Sequence, residues 1–539
     1  MVTDTTATHR SIGTVAGCTL LSRVLGLVRD ILSAGAFGVG GTWSAFSVAW
    51  TVPNLFRRLF GEGALSAAFI PVFTDYLETK DRAEAWRLWG VVTALLATLL
   101  GLLLILGEAV LLVIWALGAR SAAATLPLAL TAVMLPYAFF ICLTALKGAV
   151  LQSLRRFTVP ALAPVILNVC WITAVALIVP RVGGGPTRQI FVLAVAILAA
   201  GVLQLLIHFP ALKRVGASLR LAWDLHHEGV KRILTLMGPM ILGLAIFQLN
   251  VLLDKLIAYG LVARESNGGV LRLLGREIAL PMQEGAAAAL YWADRLYELP
   301  VGVFGIAVAT VLYPALSAHA ARGDTHLLLG DLRKGMRLVV FIGLPAGIGL
   351  ILLGRPIVAL FYGHGRFLDN PDSVARVARI LAFYATAVWA YCANQVLVRG
   401  YYALKDSKTP VKVGAAMVGL NLALNLTLIW FLAEAGLALA TAIAAVARLI
   451  VLALILRRRL GRFGGRELAA SGARAVLATV VMAAAVLGAM HALGAAAPDA
   501  SVPAKVVHLG GPLVAGLIGY LVAAALLRCR ELKELVGRG

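Results

Sequence analysis

The chain has 539 residues, 61% of them hydrophobic and only 14% charged, with a mean hydropathy of +0.91 and a formal net charge of +22. That balance excludes a soluble globular protein and a disordered one, and it specifies an all-α polytopic membrane protein. In a soluble chain the net charge would suggest nucleic acid, but here the basic residues are placed as membrane topology requires.

Apolar runs long enough to cross about 30 Å of hydrocarbon fall at 13–37, 43–77, 88–117, 123–152, 159–180, 189–211, 233–262, 286–318, 336–362, 377–403, 411–432, 435–456, 473–494 and 507–527, about 14 transmembrane helices. The first contains Ser22-Arg23-Val24-Leu25-Gly26-Leu27-Val28-Arg29-Asp30. Arg23 is near mid-run, roughly 15 Å from either end, where an arginine costs about 2.5 to 3.5 kcal/mol to insert. Seven residues make nearly two helical turns, so Ser22 shares a stripe with Arg29, and Arg23 with Asp30. The second run carries Asn54, Arg57, Arg58 and Glu62 between Pro53 and Pro71. Pro239 in the seventh run, and Pro300 and Pro314 in the eighth, predict bends there as well. Asp254 and Lys255 lie in the seventh run, and Asp294, Arg295 and Glu298 in the eighth, with Arg295 and Glu298 at pairing distance along a helix. Between these two runs, Leu271 to Ile278 reads either as a short interfacial helix or as a solvated loop.

Intramembrane arginines from the first, second and eighth runs suit the planar, bidentate recognition of phosphate oxygens, and Arg23, Arg29, Arg57 and Arg295 together suit a diphosphate. Pairing with Asp30, Glu62, Asp294 and Glu298 to hold helices together is the plainer alternative. Asn421 and Asn425 in the eleventh run fall on one helix face, level with Thr441 and Leu437 of the twelfth. With Asp254 they make a candidate site for a small hard cation, the alternatives being interhelical hydrogen bonds and, for Asp254, pairing with Lys255 or titration.

Lys and Arg number 28 in one set of alternate connections and 11 in the other, which predicts cytoplasmic termini and an even number of spans. The charged first run is a poor cleavable leader, so it is expected to stay in the mature chain. Pro71-Val72-Phe73-Thr74 and Pro314-Ala315-Leu316-Ser317 close the second and eighth runs, while Leu154 to Pro160 and Leu404 to Pro410 open the fifth and eleventh. Their similar offsets predict two duplicated six-helix lobes, 1–215 and 216–460, followed by two further helices in 461–539. The five cysteines show no paired spacing and read as packing residues. No nucleotide-binding loop, metal-ligand cluster or hydrolase pattern is present, so no enzyme activity and no bound cofactor are expected.

The runs SRVLGLVRD, PNLFRRLFGEGALSAAFIPVF from Pro53, YWADRLYELPVGVFG from Tyr291 and KTPVKV from Lys408 resemble the MurJ (MviN) lipid II flippases of the multidrug/oligosaccharidyl-lipid/polysaccharide exporter superfamily. The resemblance covers nearly the whole chain. It implies a monomeric inner-membrane transporter that moves lipid II, the undecaprenyl-pyrophosphate-linked disaccharide-pentapeptide, from the cytoplasmic to the periplasmic leaflet by alternating access. Membrane lipids are then its other partners, and nucleic acid is not one. The superfamily also holds drug exporters and flippases of other polyprenyl-linked oligosaccharides. The resemblance further implies that Arg23, Arg29, Asp30, Arg57 and Arg295 are cavity charges, with Ser22, Asn54, Glu62 and Glu298 beside them. The last two helices would form a groove for the lipid tail. Asp254, Asn421, Asn425 and Thr441 match a Na+ site, with Asn425 in place of an acidic ligand.

Overall fold

In a computed structural model the described residues are 5–61, 64–118, 122–264, 268–273, 276–461, 464–494 and 500–535. Packing divides the chain into two units, Met1–Tyr259 and Gly260–Gly539. The seventh run lies almost wholly within the first unit, and the last two helices lie within the second.

The first unit comprises α1 (Thr5–Phe37), α2 (Gly41–Phe56), α3 (Ala64–Thr79), α4 (Arg82–Gly118), α5 (Ala122–Ser153), α6 (Thr158–Thr173), α7 (Gly185–Leu206), α8 (His208–Arg214) and α9 (Glu228–Gly260). Lipid is as apolar as leucine, so these helices associate through close packing rather than through hydrophobic exclusion. Small residues give that closeness: Ala34, Ala45, Ala49 and Ala68 are fully buried. A Cβ on Gly201 of α7 would lie 2.8 Å from Cδ2 of Tyr137 on α5. At the centre, Trp171 of α6 meets Phe46 and Trp50 of α2 edge-on, with ring centroids 5.5 and 5.8 Å apart. Edge-to-face contacts of this kind add about 0.5 to 1.5 kcal/mol each beyond area burial. The seventh run, expected to bend at Pro239, is assigned as one unbroken helix, α9. A membrane helix tolerates proline because only one main-chain bond is lost and neighbours can compensate.

The second unit begins with an antiparallel hairpin, β1 (Val270–Leu273) and β2 (Arg276–Ala279), in which Val270 faces Ala279 and Leu271 faces Ile278. This corrects both readings of Leu271 to Ile278. Gly268 and Gly269 both have positive φ, a conformation that starts a hairpin and not a helix. Then follow α10 (Ala286–Pro300), α11 (Ile306–Ala321), α12 (Thr325–Leu352), α13 (Gly354–Phe361), α14 (Ser373–Ala385), α15 (Val388–Ala403), α16 (Lys408–Leu432), α17 (Glu434–Leu460), α18 (Gly465–Leu493), α19 (Val502–Leu526) and α20 (Arg530–Leu535). Leu332, Val339, Val396, Leu397 and Leu452 make one core among α12, α15 and α17. Phe341, Met482, Val486, Tyr520 and Ala524 make another, which fixes α18 and α19 to α12, and the Tyr520 hydroxyl donates to the Phe341 carbonyl at 2.5 Å. At the chain's end Glu531 and Glu534 of α20 hold Arg337 of α12, at 3.2 and 2.6 Å.

Among the described residues 11 helices are long and apolar enough to cross a membrane, or 12 when α14 and α15, which meet at 43°, count as one broken span. These are the third to fourteenth runs. The first is helical too, but all three charges Arg23, Arg29 and Asp30 lie within it; the second is interrupted. Its interruption has a counterpart. A π-helical turn, Arg57–Gly61, lies between α2 and α3, and another, Val301–Gly305, joins α10 to α11. The connections before α6 and α16 also match. Arg155 and Lys405 take φ of 58° and 59°, and each donates its N–H to the carbonyl three residues earlier, Gln152 and Tyr402, at 2.9 Å.

Candidate functional site

Arg29 is held where α1 packs on α6. Its Nη1 donates to Oδ1 of Asn168 at 3.1 Å, while Nε and Nη2 both donate to Oδ1 of Asp30, at 3.0 and 2.8 Å. Its guanidinium carbon lies 4.7 Å from the centre of the Trp171 ring. Asn168 in turn donates to the carbonyl of Ser22 at 2.9 Å, and Trp171 donates to the Ser33 hydroxyl at 2.9 Å. A carbonyl can only accept, so the Ser22 contact fixes the Asn168 amide with its oxygen toward Arg29. The side chains of Arg29 and Asp30 retain 15% and 9% exposure. At that burial, removing either partner of an ion pair costs about 3 to 5 kcal/mol, because a buried charge is left behind. Neither Asn168 nor Trp171 was among the residues singled out in the sequence.

Arg23 is exposed, and among the described residues it has no ion-pair partner. It brings the polar stripe of α1 to a net positive charge. Arg57 opens the π-helical turn after α2 and donates from Nε to Oδ1 of Asn54 at 2.9 Å. It also lines a cavity of about 130 Å³ with Tyr137, Thr144, Gln204 and His208. Glu62 lies outside the described residues.

In the second unit Arg295 pairs with Glu298 at 3.0 Å and stands 5.4 Å from the Tyr291 ring centre. Behind it Tyr297 stacks on Tyr384 and Tyr391 at 4.6 and 5.2 Å. This aromatic wall keeps α10 rigid where its arginine emerges.

The candidate cation ligands divide between the units. Asp254 is on α9, where its Oδ2 accepts from Asn250 at 3.3 Å, and Lys255 reaches the Ser47 carbonyl at 3.4 Å. In the second unit Asn425 donates to Oδ1 of Asn421 at 2.9 Å, Asn421 donates to Oγ1 of Thr441 at 3.3 Å, and Thr441 donates to the Leu437 carbonyl at 3.0 Å. Asn421 Oδ1 and Thr441 Oγ1 each accept a hydrogen bond within this trio, which carries no formal charge. These bonds clasp α16 to α17, and no step is derived through Na+. Among the described residues no three His, Cys, Asp or Glu side chains are grouped to hold a metal ion.

A dozen apolar helices in two units, with matching helix interruptions and arginines inside them, define a polytopic transporter fold. An inward-facing multidrug resistance MATE transporter of the MOP superfamily shares this fold at a TM-score of 0.66, with 16% identity over 82% of this chain and 95% of that one. The solved structure titled lipid II flippase MurJ, inward closed conformation, matches at a TM-score of 0.73 over 97% of this chain and 99% of that one, at 21% identity. The family model for lipid II flippase MurJ matches residues 33–498. A probable lipid II flippase MurJ of Vibrio cholerae is 34% identical over 456 residues, 81% of each chain. The lipid II flippase MurJ of Burkholderia cenocepacia is 33% identical over 459 residues, 84% of each. The chain belongs to the lipid II flippase MurJ family.

Proposed function

We propose that this chain flips lipid II across the bacterial inner membrane, from the cytoplasmic to the periplasmic leaflet, with both termini cytoplasmic. The observation that carries the reading is the α1 stripe: Arg23 exposed, Arg29 held by Asp30, Asn168 and Trp171, all within an apolar helix. Two guanidinium groups against one carboxylate leave a net positive charge, which favours an anion over a cationic drug. In this reading Arg23, Arg29 and Arg57 of the first unit bind the diphosphate of the substrate, and Arg295 is the cavity charge of the second unit. Asp30, Asn54, Ser22 and Glu298 orient the arginines when the site is empty, and the diphosphate oxygens displace the carboxylates on binding. The exposed apolar faces of α18 and α19, including Leu477, Val480, Leu517 and Ile518, carry the polyprenyl tail. Keeping the tail against lipid avoids exposing it to water at about 25 cal/mol per Å².

The test is reconstitution into liposomes with lipid II, scoring leaflet exchange with and without a membrane potential. Arg23→Ala is expected to insert normally, to stop exchange and to fail to support growth of flippase-depleted cells. Growth at the wild-type rate would remove Arg23 from the substrate site.

A further inference from the structure

The cavity that Arg57 lines continues between α5, α6 and α8, and its far wall is chemically unusual. His208 is 0% and Gln204 1% exposed. His208 Nδ1 lies 2.7 Å from the Gln204 carbonyl, which can only accept, so Nδ1 carries the proton and Nε2 of the neutral ring is a bare acceptor. Gln204 donates from Nε2 to the Ala163 carbonyl at 2.6 Å, which leaves its Oε1 as a second acceptor. Neither His208 Nε2 nor Gln204 Oε1 has a hydrogen-bond partner among the described residues. A buried polar group left without a partner is costly, so the pair calls for a donor. Gly148 keeps the approach open: a Cβ there would stand 3.7 Å from Nε2, in ordinary contact.

The charged and titratable groups around the imidazole are Arg57 from the π-helical turn, and Lys147 and Tyr137 from α5. Lys147 is buried, with Nζ 3.3 Å from the Phe209 ring centre. α3, α6 and α7 add Ser66, Pro160, Ala163, Pro164, Leu167 and Gln204, none of which titrates, and no carboxylate lines the cavity among the described residues. Arg57 and Lys147 give this wall a positive character, and the Nδ1–H bond to the Gln204 carbonyl leaves the ring a neutral acceptor. An anion at Arg57 reverses that balance.

We propose that His208 Nε2 is a proton-binding site linked to anion binding at Arg57. Diphosphate arrival draws one proton from water onto Nε2, the N–H so formed donates to a water in the cavity, and diphosphate departure releases it. Linkage is reciprocal, so acid must tighten diphosphate binding by the same factor that diphosphate raises the proton affinity of His208. The inference rests on the diphosphate reading of Arg57.

The test uses the full chain labelled at histidine Cε1 and reconstituted in nanodiscs, with the His208 resonance identified by its loss in His208→Gln or His208→Asn. It is followed from about pH 5 to 8, where histidines titrate, with and without inorganic pyrophosphate. The expected result is a neutral Nδ1–H ring without the anion and a protonation midpoint about one pH unit higher with it. Pyrophosphate affinity should rise about tenfold in acid in the wild type beyond any rise in His208→Gln. Gly148→Ala, which covers Nε2 without a clash, is expected to weaken that coupling while the protein stays folded. If pyrophosphate binds but the His208 midpoint does not move, the linkage is overturned and the diphosphate reading stands. If pyrophosphate does not bind at all, the diphosphate reading falls and takes the linkage with it.

Discussion

Asn168 decides where Arg29 points, because its one amide is bonded at both ends, to Ser22 and to Arg29. Replacing it with an isosteric apolar residue, Asn168→Leu, removes the extra bond to the Ser22 carbonyl and the oxygen that Arg29 Nη1 donates to, at about 1 to 3 kcal/mol for a buried group. The variant is expected to insert and to exchange lipid II several-fold more slowly, with a lowered melting temperature in detergent. Unchanged exchange would show that Arg29 needs no such support. Asp30→Asn is expected to be harsher, about 3 to 5 kcal/mol, since it leaves the Arg29 charge uncompensated. The same melting measurement, run beside Asn168→Leu, ranks the two. The sequence displays Ser22, Arg29 and Asp30 together because helical spacing puts residues seven or eight apart on one face. Asn168 is 139 residues from Arg29, and periodicity within α6 says nothing about which helix it meets. The signal that existed was a single asparagine in an apolar run, three residues before a tryptophan.

At the scale of an element, the start of α16 shows how a short connection is fixed. Asp406 accepts the main-chain N–H of Thr409 at 2.9 Å and its hydroxyl at 2.6 Å, and Arg459 of α17 pairs with the same carboxylate. Burial pushes the Asp406 carboxyl up, but the bonds from Thr409 and the Arg459 guanidinium outweigh it and hold the group below the usual carboxylate range. A depressed folded value stabilises the native state fully above the ordinary aspartate value of about 3.9, and the gain is lost as pH falls through the lower folded value. Asp406→Ala is therefore expected to cost about 1 kcal/mol at neutral pH, as lost helix caps do, and progressively less in acid. Melting temperatures of both proteins across that range check the convergence. Proline was an uneven guide to helix breaks, since a π-helical turn begins directly after Pro300 and another follows α2, which holds Pro53. α9 runs on through Pro239, whereas the one bent pair, α14 and α15, breaks at Thr386 and Ala387, where no proline stands. Main-chain bonding and packing decide such breaks, and neither is written in residue type alone.

On the scale of the whole chain, residue pattern revealed the class and the approximate span count, since both depend on composition along the sequence. It did not reveal how the chain divides, because α9 joins the first unit, and α18, α19 and α20 the second, through packing. Ending the chain before Arg530 removes both carboxylates from the buried Arg337, which is expected to cost about 3 to 5 kcal/mol and to lower the melting temperature. Restoring stability with Arg337→Met in the shortened chain would assign the loss to the stranded charge. Of the three π-helical turns among the described residues, at Arg57–Gly61, Ala174–Ile178 and Val301–Gly305, the first and third bear on where the helices after them point. Such a turn is an α-helix with one residue too many, it is rare, and it rotates every later side chain relative to those before it. Arg57–Gly61 and Val301–Gly305 each follow a helix of similar length, α2 and α10. Each therefore re-aims the side chains of the helix after it, α3 or α11, relative to those of the helix before it.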